Sequence, residues 1–191
     1  FFEDYKKQYG RTYLEDFPAI KMQCVHRMSI IDSLFWMHSH KKVRIRKNSS
    51  LTPSVLDIGC AMGPFLDAAS DSGWQVYGTD ISTEAVDYVQ NTLRYPAVCT
   101  AFPAIDTVAE FGISQFDAVT MWYVIEHFED LDSVLRAVSS IIKKGGIFAF
   151  STPSGKGVSG RFSTESFFEA SPTDHYTIWE PNNTDDILKK Y

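Results

Sequence analysis

Cysteine is scarce in this chain: 191 residues contain only Cys24, Cys60 and Cys99. The three are odd in number and far apart, with none of the close pairs of a zinc site or a redox centre. A disulfide framework is thereby excluded, and the cysteines read as reduced, mostly buried thiols of a cytoplasmic protein. Long apolar runs are missing too. None approaches the roughly 18 residues of a membrane-spanning helix, and the chain does not open on a charged-then-apolar signal segment. Positive charge is in deficit, with 18 Lys and Arg against 24 Asp and Glu and a net charge of -6. Nucleic acid is therefore not the expected partner, because phosphate neutralisation demands a positive surface. Internal repeats and low-complexity tracts are also absent. What remains is ordinary globular usage, 44% hydrophobic and 22% charged, at a length near the upper end of what one core organises. The chain begins Phe1-Phe2-Glu3 and stops at Leu188-Lys189-Lys190-Tyr191 inside a predicted helix. The expectation is a piece of a longer polypeptide.

The texture changes near residue 50. Residues 1–16 are aromatic and charged with little periodicity, and Pro18 suits the first turn of a helix. Ile20, Cys24, Met28, Ile31, Leu34 and Phe35 then recur at helical spacing, predicting one amphipathic helix over about 18–39. Lys41, Lys42, Arg44, Arg46 and Lys47 form a basic connection, either an attraction for an anionic acceptor or a solvated face. Residues 1–50 thus form an N-terminal segment ahead of an α/β domain over 51–191. In that domain strands alternate with helices, as in a parallel sheet with crossover helices. The predicted strands are Val55–Ile58, Gln75–Thr79, a weak Ala97–Thr100, Phe116–Met121 and a fully buried Ile147–Phe150. Ser82 caps one helix. Leu131, Val134, Leu135, Val138, Ile141 and Ile142 make another, with Lys143 and Lys144 at its negative end and Gly145 able to stop it.

The chemistry centres on Val55-Leu56-Asp57-Ile58-Gly59-Cys60-Ala61-Met62-Gly63-Pro64-Phe65. A buried strand running into glycines four apart lets backbone approach a ligand, and the helix start offers unpaired amides to a negative group. A plain strand-to-helix turn would look similar. The order acid-x-Gly-x-x-x-Gly differs from the G-x-G-x-x-G of dinucleotide loops, since Cys60 and Ala61 stand where a second glycine is needed. Asp80 follows Gly59 by 21 residues, at the end of the second strand. Its carboxylate suits the vicinal hydroxyls of a ribose, the other reading being a turn or helix-capping role. Met121, Trp122, Tyr123, Glu126 and His127 follow the fourth strand at its carboxyl end, where open parallel sheets bind ligands. Beyond the fifth strand a glycine- and serine-bearing excursion runs to Asp174-His175-Tyr176-Thr177-Ile178-Trp179, with the pattern of a functional lid. Phe162, Phe167 and Phe168, with Trp179 and the segment around Tyr5 and Tyr9, are expected to close over a bound molecule.

From about Val55 to Pro153 the sequence resembles the class I S-adenosylmethionine-dependent methyltransferases, particularly the small-molecule branch similar to the ubiquinone-pathway O-methyltransferases. The likeness rests on the first loop, Asp80, the strand Phe116-Asp117-Ala118-Val119, the run Val124-Ile125-Glu126-His127-Phe128-Glu129-Asp130, and the turn Lys144-Gly145-Gly146. It implies a three-layer α/β sandwich with a mostly parallel, Rossmann-like sheet, here lacking the final strands, and S-adenosylmethionine as cofactor. Gly59 and Gly63 would line its methionine end with Cys60 and Ala61 between them, Asp57 would order the loop, and Ile81 would pack beside the adenine. The family's acid toward the adenine amino group is replaced by Cys99-Thr100-Ala101-Phe102, so backbone amides of Thr100 and Ala101 or the Phe102 ring would serve. Met121 and Trp122 would wall the cofactor, and Tyr123, His127, His175, Tyr176 and Trp179 the acceptor, with His127 and His175 the candidate proton acceptors.

Some quinone-type relatives carry an acid three residues before the Glu-His pair, completing a possible metal site. Tyr123 stands there, and Glu126 with His127 is a thin set for a hard cation, so no metal is expected. The activity implied is methyl transfer to an oxygen or nitrogen of a small-molecule acceptor. The sulfonium is already activated, so protein groups mainly align and desolvate the reactants. Two other classes stay open: a non-catalytic cofactor-binding or scaffold domain, and an NAD-dependent oxidoreductase, whose loop should read G-x-G-x-x-G.

Overall fold

The computed structural model describes residues 2–38, 52–157, 161–169 and 171–191; the basic run 41–47 lies outside them. Five parallel strands, β1 (Ser54–Ile58), β2 (Gln75–Asp80), β3 (Ala97–Cys99), β4 (Phe116–Trp122) and β5 (Ile142–Ser151), stand in the order β3-β2-β1-β4-β5. Successive strands step outward from β1 to β3, then the chain returns to add β4 on the other side of β1. The switch point is the cleft between the carboxyl ends of β1 and β4, where such sheets bind ligands.

Alternation along the strands assigns side chains to two faces. Val55, Val76 and Ala118 join Cys24, Met28, Ile31, Phe35, Phe65 and Leu66 in one core, under α2 (Tyr13–His38) and α3 (Pro64–Asp71). Leu56, Ile58, Phe116, Val119 and Met121 join Val134, Leu135, Val138 and Trp179 in the other, under α6 (Leu131–Ile141). The three-layer α/β sandwich expected from the sequence is therefore present. A buried aspartate pins α2 to the sheet: Asp32 Oδ1 accepts from Trp36 Nε1 at 2.9 Å and from Trp74 Nε1 at 3.2 Å.

Several local expectations need correction. Residues 2–9 form a helix, α1, and α2 starts at Tyr13 with Pro18 inside it. A reciprocal cap explains the early start: Thr12 N donates to Glu15 Oε2 at 2.6 Å, and Glu15 N donates to Thr12 Oγ1 at 3.2 Å. Ser82 does cap α4 (Thr83–Tyr88), accepting from Ala85 N at 3.3 Å. A short helix, α5 (Thr107–Phe111), capped by Asp106 and closed by Gly112, was not foreseen. Helix α6 ends at Ile141, ahead of Gly145. The residues between belong to β5, whose register against β4 shifts between Phe116 and Ala118. Lys143 Nζ there binds Asp117 Oδ2 at 2.8 Å instead of capping a helix. Ile147–Phe150 is half-buried, not fully buried, because β5 has a strand neighbour on one side only among the described residues. Two further helices, α7 (Thr164–Glu169) and α8 (Pro181–Leu188), close the chain. No helix among the described residues is long and apolar enough to cross a membrane.

Candidate active site

The loop after β1 is built from left-handed backbone. Gly59, Ala61 and Gly63 have φ of 72°, 47° and 79°, and Ala61 adopts this against the steric cost of its Cβ. Gly59 N and Cys60 N both donate to Thr79 O, at 2.7 and 3.0 Å, which ties the loop to β2. A Cβ on Gly59 would overlap Val124, and one on Gly63 would crowd Leu93 and Val89. Glycine is needed at both positions for φ and for space.

Asp80 clasps this loop. Its Oδ2 accepts from Ala61 N at 2.8 Å and its Oδ1 from Ser82 N at 2.8 Å. Each carboxylate oxygen keeps a second acceptor site, so the turn role and a ribose role are compatible. Ile81, 79% exposed, stands next to it as an apolar side chain open to solvent. Cys99 is also exposed, its Sγ 3.5 Å from Thr83 Oγ1 and from Ile81 O. Thr100 is half-buried with its N bonded to Asp80 O at 2.9 Å, and Ala101 is exposed.

Asp57 points into the face of the sheet under α2. It is 1% exposed, and Thr120 Oγ1 of β4 donates to its Oδ1 at 2.7 Å. Burial pushes its carboxyl up to about 8; the Thr120 hydroxyl opposes the rise, neighbouring Asp80 adds to it, and Arg27 opposes it. Burial likewise raises the thiol of Cys24 to about 11 and holds that of Cys60 well above its ordinary value, Asp57 adding to both. Neither is a thiolate nucleophile at neutral pH. Tyr13 is raised by burial first, then by Cys24 and Asp57.

Arg27 was not anticipated. Its guanidinium lies 4.6 Å from the centroid of Trp122 and 5.7 Å from that of Tyr123, and it lowers the carboxyl of Asp57. A cation has thus been brought from α2 to the switch point. The signal was legible: Arg27 stands three residues after Cys24 and four before Ile31, on the apolar face of its helix.

The other end of the site gathers around Glu126. Tyr176 N and Thr177 N donate to Glu126 O at 2.8 and 3.4 Å, pinning the segment after the excursion against the turn Ile125–His127. His127 Nδ1 then lies 3.0 Å from Asp174 Oδ2, and the His127 and His175 rings meet edge to face at 4.7 Å between centroids. Asp174 was not singled out in the sequence. Glu126 is 1% exposed, and burial raises its carboxyl, with the two imidazoles opposing. Thr152 stands beside it, yet neither Thr152 Oγ1 nor Glu126 Oε2 completes a hydrogen bond. Trp122 Nε1 and Ser151 Oγ are also buried and unpartnered. All four atoms lie at or just beyond the carboxyl ends of β4 and β5, where a polar ligand would satisfy them.

Three residues expected to face ligand have core side chains instead. Met121 is 0% exposed and Phe102 7%, both in the second core, with Phe102 set against Phe128 at 6.4 Å between centroids. Trp179, 4% exposed, packs edge to face on Phe150 at 5.0 Å within the second core. Tyr123 and Tyr176 are each 55% exposed. Tyr5 and Tyr9 stack within α1, and Tyr5 meets Tyr13 at 5.2 Å between centroids, against the start of α2. An open groove of about 390 Å³ is lined by Pro153, Phe162, Ser163, Phe167, Ser171 and His175, among others. Phe162 is 88% exposed there.

A parallel sheet with a glycine loop and a clasping acid at its switch point is the frame of an α/β nucleoside-cofactor protein. Comparison with known families sharpens this: residues 30–188 match the family described as "Methyltransferase domain", and the chain belongs to it. Ubiquinone biosynthesis O-methyltransferases of Paracidovorax citrulli and Chromobacterium violaceum are 30% and 31% identical, each match covering 68% of this chain and 58% and 59% of the relative. The chain thus spans less than two thirds of the length of these curated relatives. Among solved structures, a SAM-dependent methyltransferase from Archaeoglobus fulgidus superposes with a TM-score of 0.66 at 17% identity, over 100% of this chain and 73% of that one. The plantazolicin methyltransferase BpumL, complexed with SAH and a pentazolic desmethylPZN analog, gives 0.63 at 16%, over 98% and 66%. At these identities the two structures speak for the fold.

Proposed function

We propose that this chain binds S-adenosylmethionine at the β1–β4 switch point and transfers its methyl group to an oxygen or nitrogen of a small-molecule acceptor at the His127–His175 end. The observation that carries the reading is the clasp of Asp80 on the left-handed loop, beside the 79% exposed Ile81. The residues present fit the cofactor. Asp80 keeps acceptor sites for two ribose hydroxyls, Ile81 offers an apolar surface to the adenine, and the amide of Ala101 lies at the neighbouring strand end, that of Thr100 being taken by Asp80 O. Gly59 and Gly63 leave room along the loop. Arg27 supplies a cation for the amino-acid carboxylate, with Trp122 beneath it.

S-adenosylmethionine supplies a methyl group on a good leaving sulfur, so the protein's work is alignment and exclusion of water. Phe162 and Phe167 give the groove next to His175 apolar walls suited to that exclusion. His127, oriented by Asp174, and His175 are the groups placed to take a proton from the acceptor, which only a weakly acidic nucleophile requires. Three free cysteines suit the reducing cytoplasm, and the net charge of -6 suits a partner other than nucleic acid.

The test compares His127→Ala and His175→Ala with the parent once an acceptor is found. Methyl transfer is expected to fall roughly 10²-fold or more, the usual contribution of a positioned acid or base, while S-adenosylhomocysteine affinity stays nearly unchanged. Turnover at the parent rate in both variants would place the acceptor elsewhere along the strand ends.

A further inference from the structure

From Lys21 to Met37, helix α2 turns its charges toward its own fold and an uncharged, largely apolar strip toward solvent. Lys21 Nζ lies 2.7 Å from both Asp67 Oδ2 and Asp71 Oδ2, the Arg27 guanidinium stands over Trp122, and Asp32 is buried and bonded to Trp36 and Trp74. Met22 is 74% exposed, Val25 49%, Ile30 49%, Leu34 38% and Met37 71%, and no exposed residue from 22 to 37 is charged. A surface helix ordinarily carries its charges on the outer face. A contiguous exposed apolar strip, unlike a single exposed residue, marks an interaction surface. We infer that a second copy of this chain docks here, the two α2 helices running antiparallel across a two-fold axis.

The strip is its own complement. In an antiparallel pair whose axis passes between Ser29 and Ile30, each residue stands opposite the one equally far along on the other side of that point. Met22 then meets Met37 of the second copy, Val25 meets Leu34, Ser29 meets Ile30 and His26 meets Ser33, so small and apolar side chains match along about 22 Å of helix. The hydroxyls enclosed by such a contact are already satisfied. Ser29 Oγ donates to His26 O and Ser33 Oγ donates to Ser29 O, each at 2.7 Å, and burial strands neither proton. Charge selects the same arrangement. Each chain carries a net charge of -6, so two copies repel over much of their surface, whereas along this strip they touch with no like charges opposed. Two facing strips of this length bury on the order of 1,000 Å² in total, the low end for specific interfaces, and association is therefore expected at micromolar concentration.

The inference stands apart from the methyl-transfer reading, since neither cofactor nor acceptor enters its test. Sedimentation of the untagged chain from low to high micromolar concentration is expected to show a mass rising from that of one chain, 21.6 kDa, toward that of two and no further, because a two-fold contact closes on itself. Met22→Lys and Met37→Glu, at positions already in solvent, are each expected to weaken association about tenfold or more, since each change enters the interface twice. Combined in one chain, the two substitutions set opposite charges across the antiparallel register and are expected to restore association; a parallel pairing would oppose like charges instead. Val108→Lys, at a 56% exposed position on α5, should associate as the parent does, and circular dichroism confirms that each variant is folded. A single-chain mass at every concentration overturns the second copy, and if that monomer floats with phosphatidylglycerol vesicles the strip belongs to a lipid surface. Association that the two folded single variants leave intact, or that the combined variant fails to restore, overturns it equally.

Discussion

Asp80→Ala is expected to bind S-adenosylhomocysteine roughly tenfold or more weakly than the parent chain. Hydrogen bonds contribute about 0.5–1.5 kcal/mol each, and those to a charged acceptor about 1.5–3 kcal/mol. Asp80 is proposed to accept two from the ribose while holding Ala61 N and Ser82 N at 2.8 Å each. Removing the side chain therefore also loosens the loop whose Ala61 sits at φ 47°. The two effects separate in a cycle with a 2′-deoxy analogue. If Asp80 meets the ribose, loss of the 2′-hydroxyl weakens binding to the parent and hardly matters in Asp80→Ala. Equal weakening in both proteins would leave Asp80 with only its clasp on the loop.

The second large effect concerns pH. Asp57 has an ordinary carboxyl pKa near 4 when unfolded and about 8 when folded, so the unfolded chain gives up its proton first. Stability is fully present below the unfolded value and is lost as pH rises through about 8. Glu126, also raised by burial, acts in the same direction. Between pH 5 and 8.5 the melting temperature of the ligand-free chain is expected to fall on the order of 10 °C, and Asp57→Asn should remove most of the slope. The asparagine oxygen can still accept from Thr120 Oγ1, so the comparison isolates charge from hydrogen bonding. A parent chain whose stability is flat or rising over this range would mean that Asp57 stays ionised beside Arg27.

Much of this site was legible in the residues because its elements are local. The loop Asp57 to Gly63 carries its own backbone demands, and Asp80 ends the neighbouring strand, so spacing alone brings them together. The buried character of β1 was likewise legible, and all five of its residues are buried. What escaped depends on packing between distant segments. Arg27 reaches Trp122 only because α2 lies across the sheet, and Asp174 reaches His127 only because Glu126 O captures the backbone of Tyr176 and Thr177. Met121 and Phe102 near strand ends, and Trp179 after the excursion, were assigned to a pocket, whereas their side chains lie in the second core. Helix ends were missed where a short polar motif outweighed a stronger cue. The Thr12–Glu15 cap starts α2 ahead of Pro18, and the pairing of β5 claims Ile142 before Gly145 can end α6.

The central claim is that the acid-x-Gly-x-x-x-Gly loop and Asp80 hold an S-adenosyl cofactor and not a dinucleotide. Isothermal titration calorimetry of the same chain with S-adenosylhomocysteine and with NAD, at matched concentrations, tests it without knowledge of the acceptor. Saturable one-to-one binding of S-adenosylhomocysteine with no measurable heat from NAD is the result expected. Binding of NAD in preference to S-adenosylhomocysteine would contradict it.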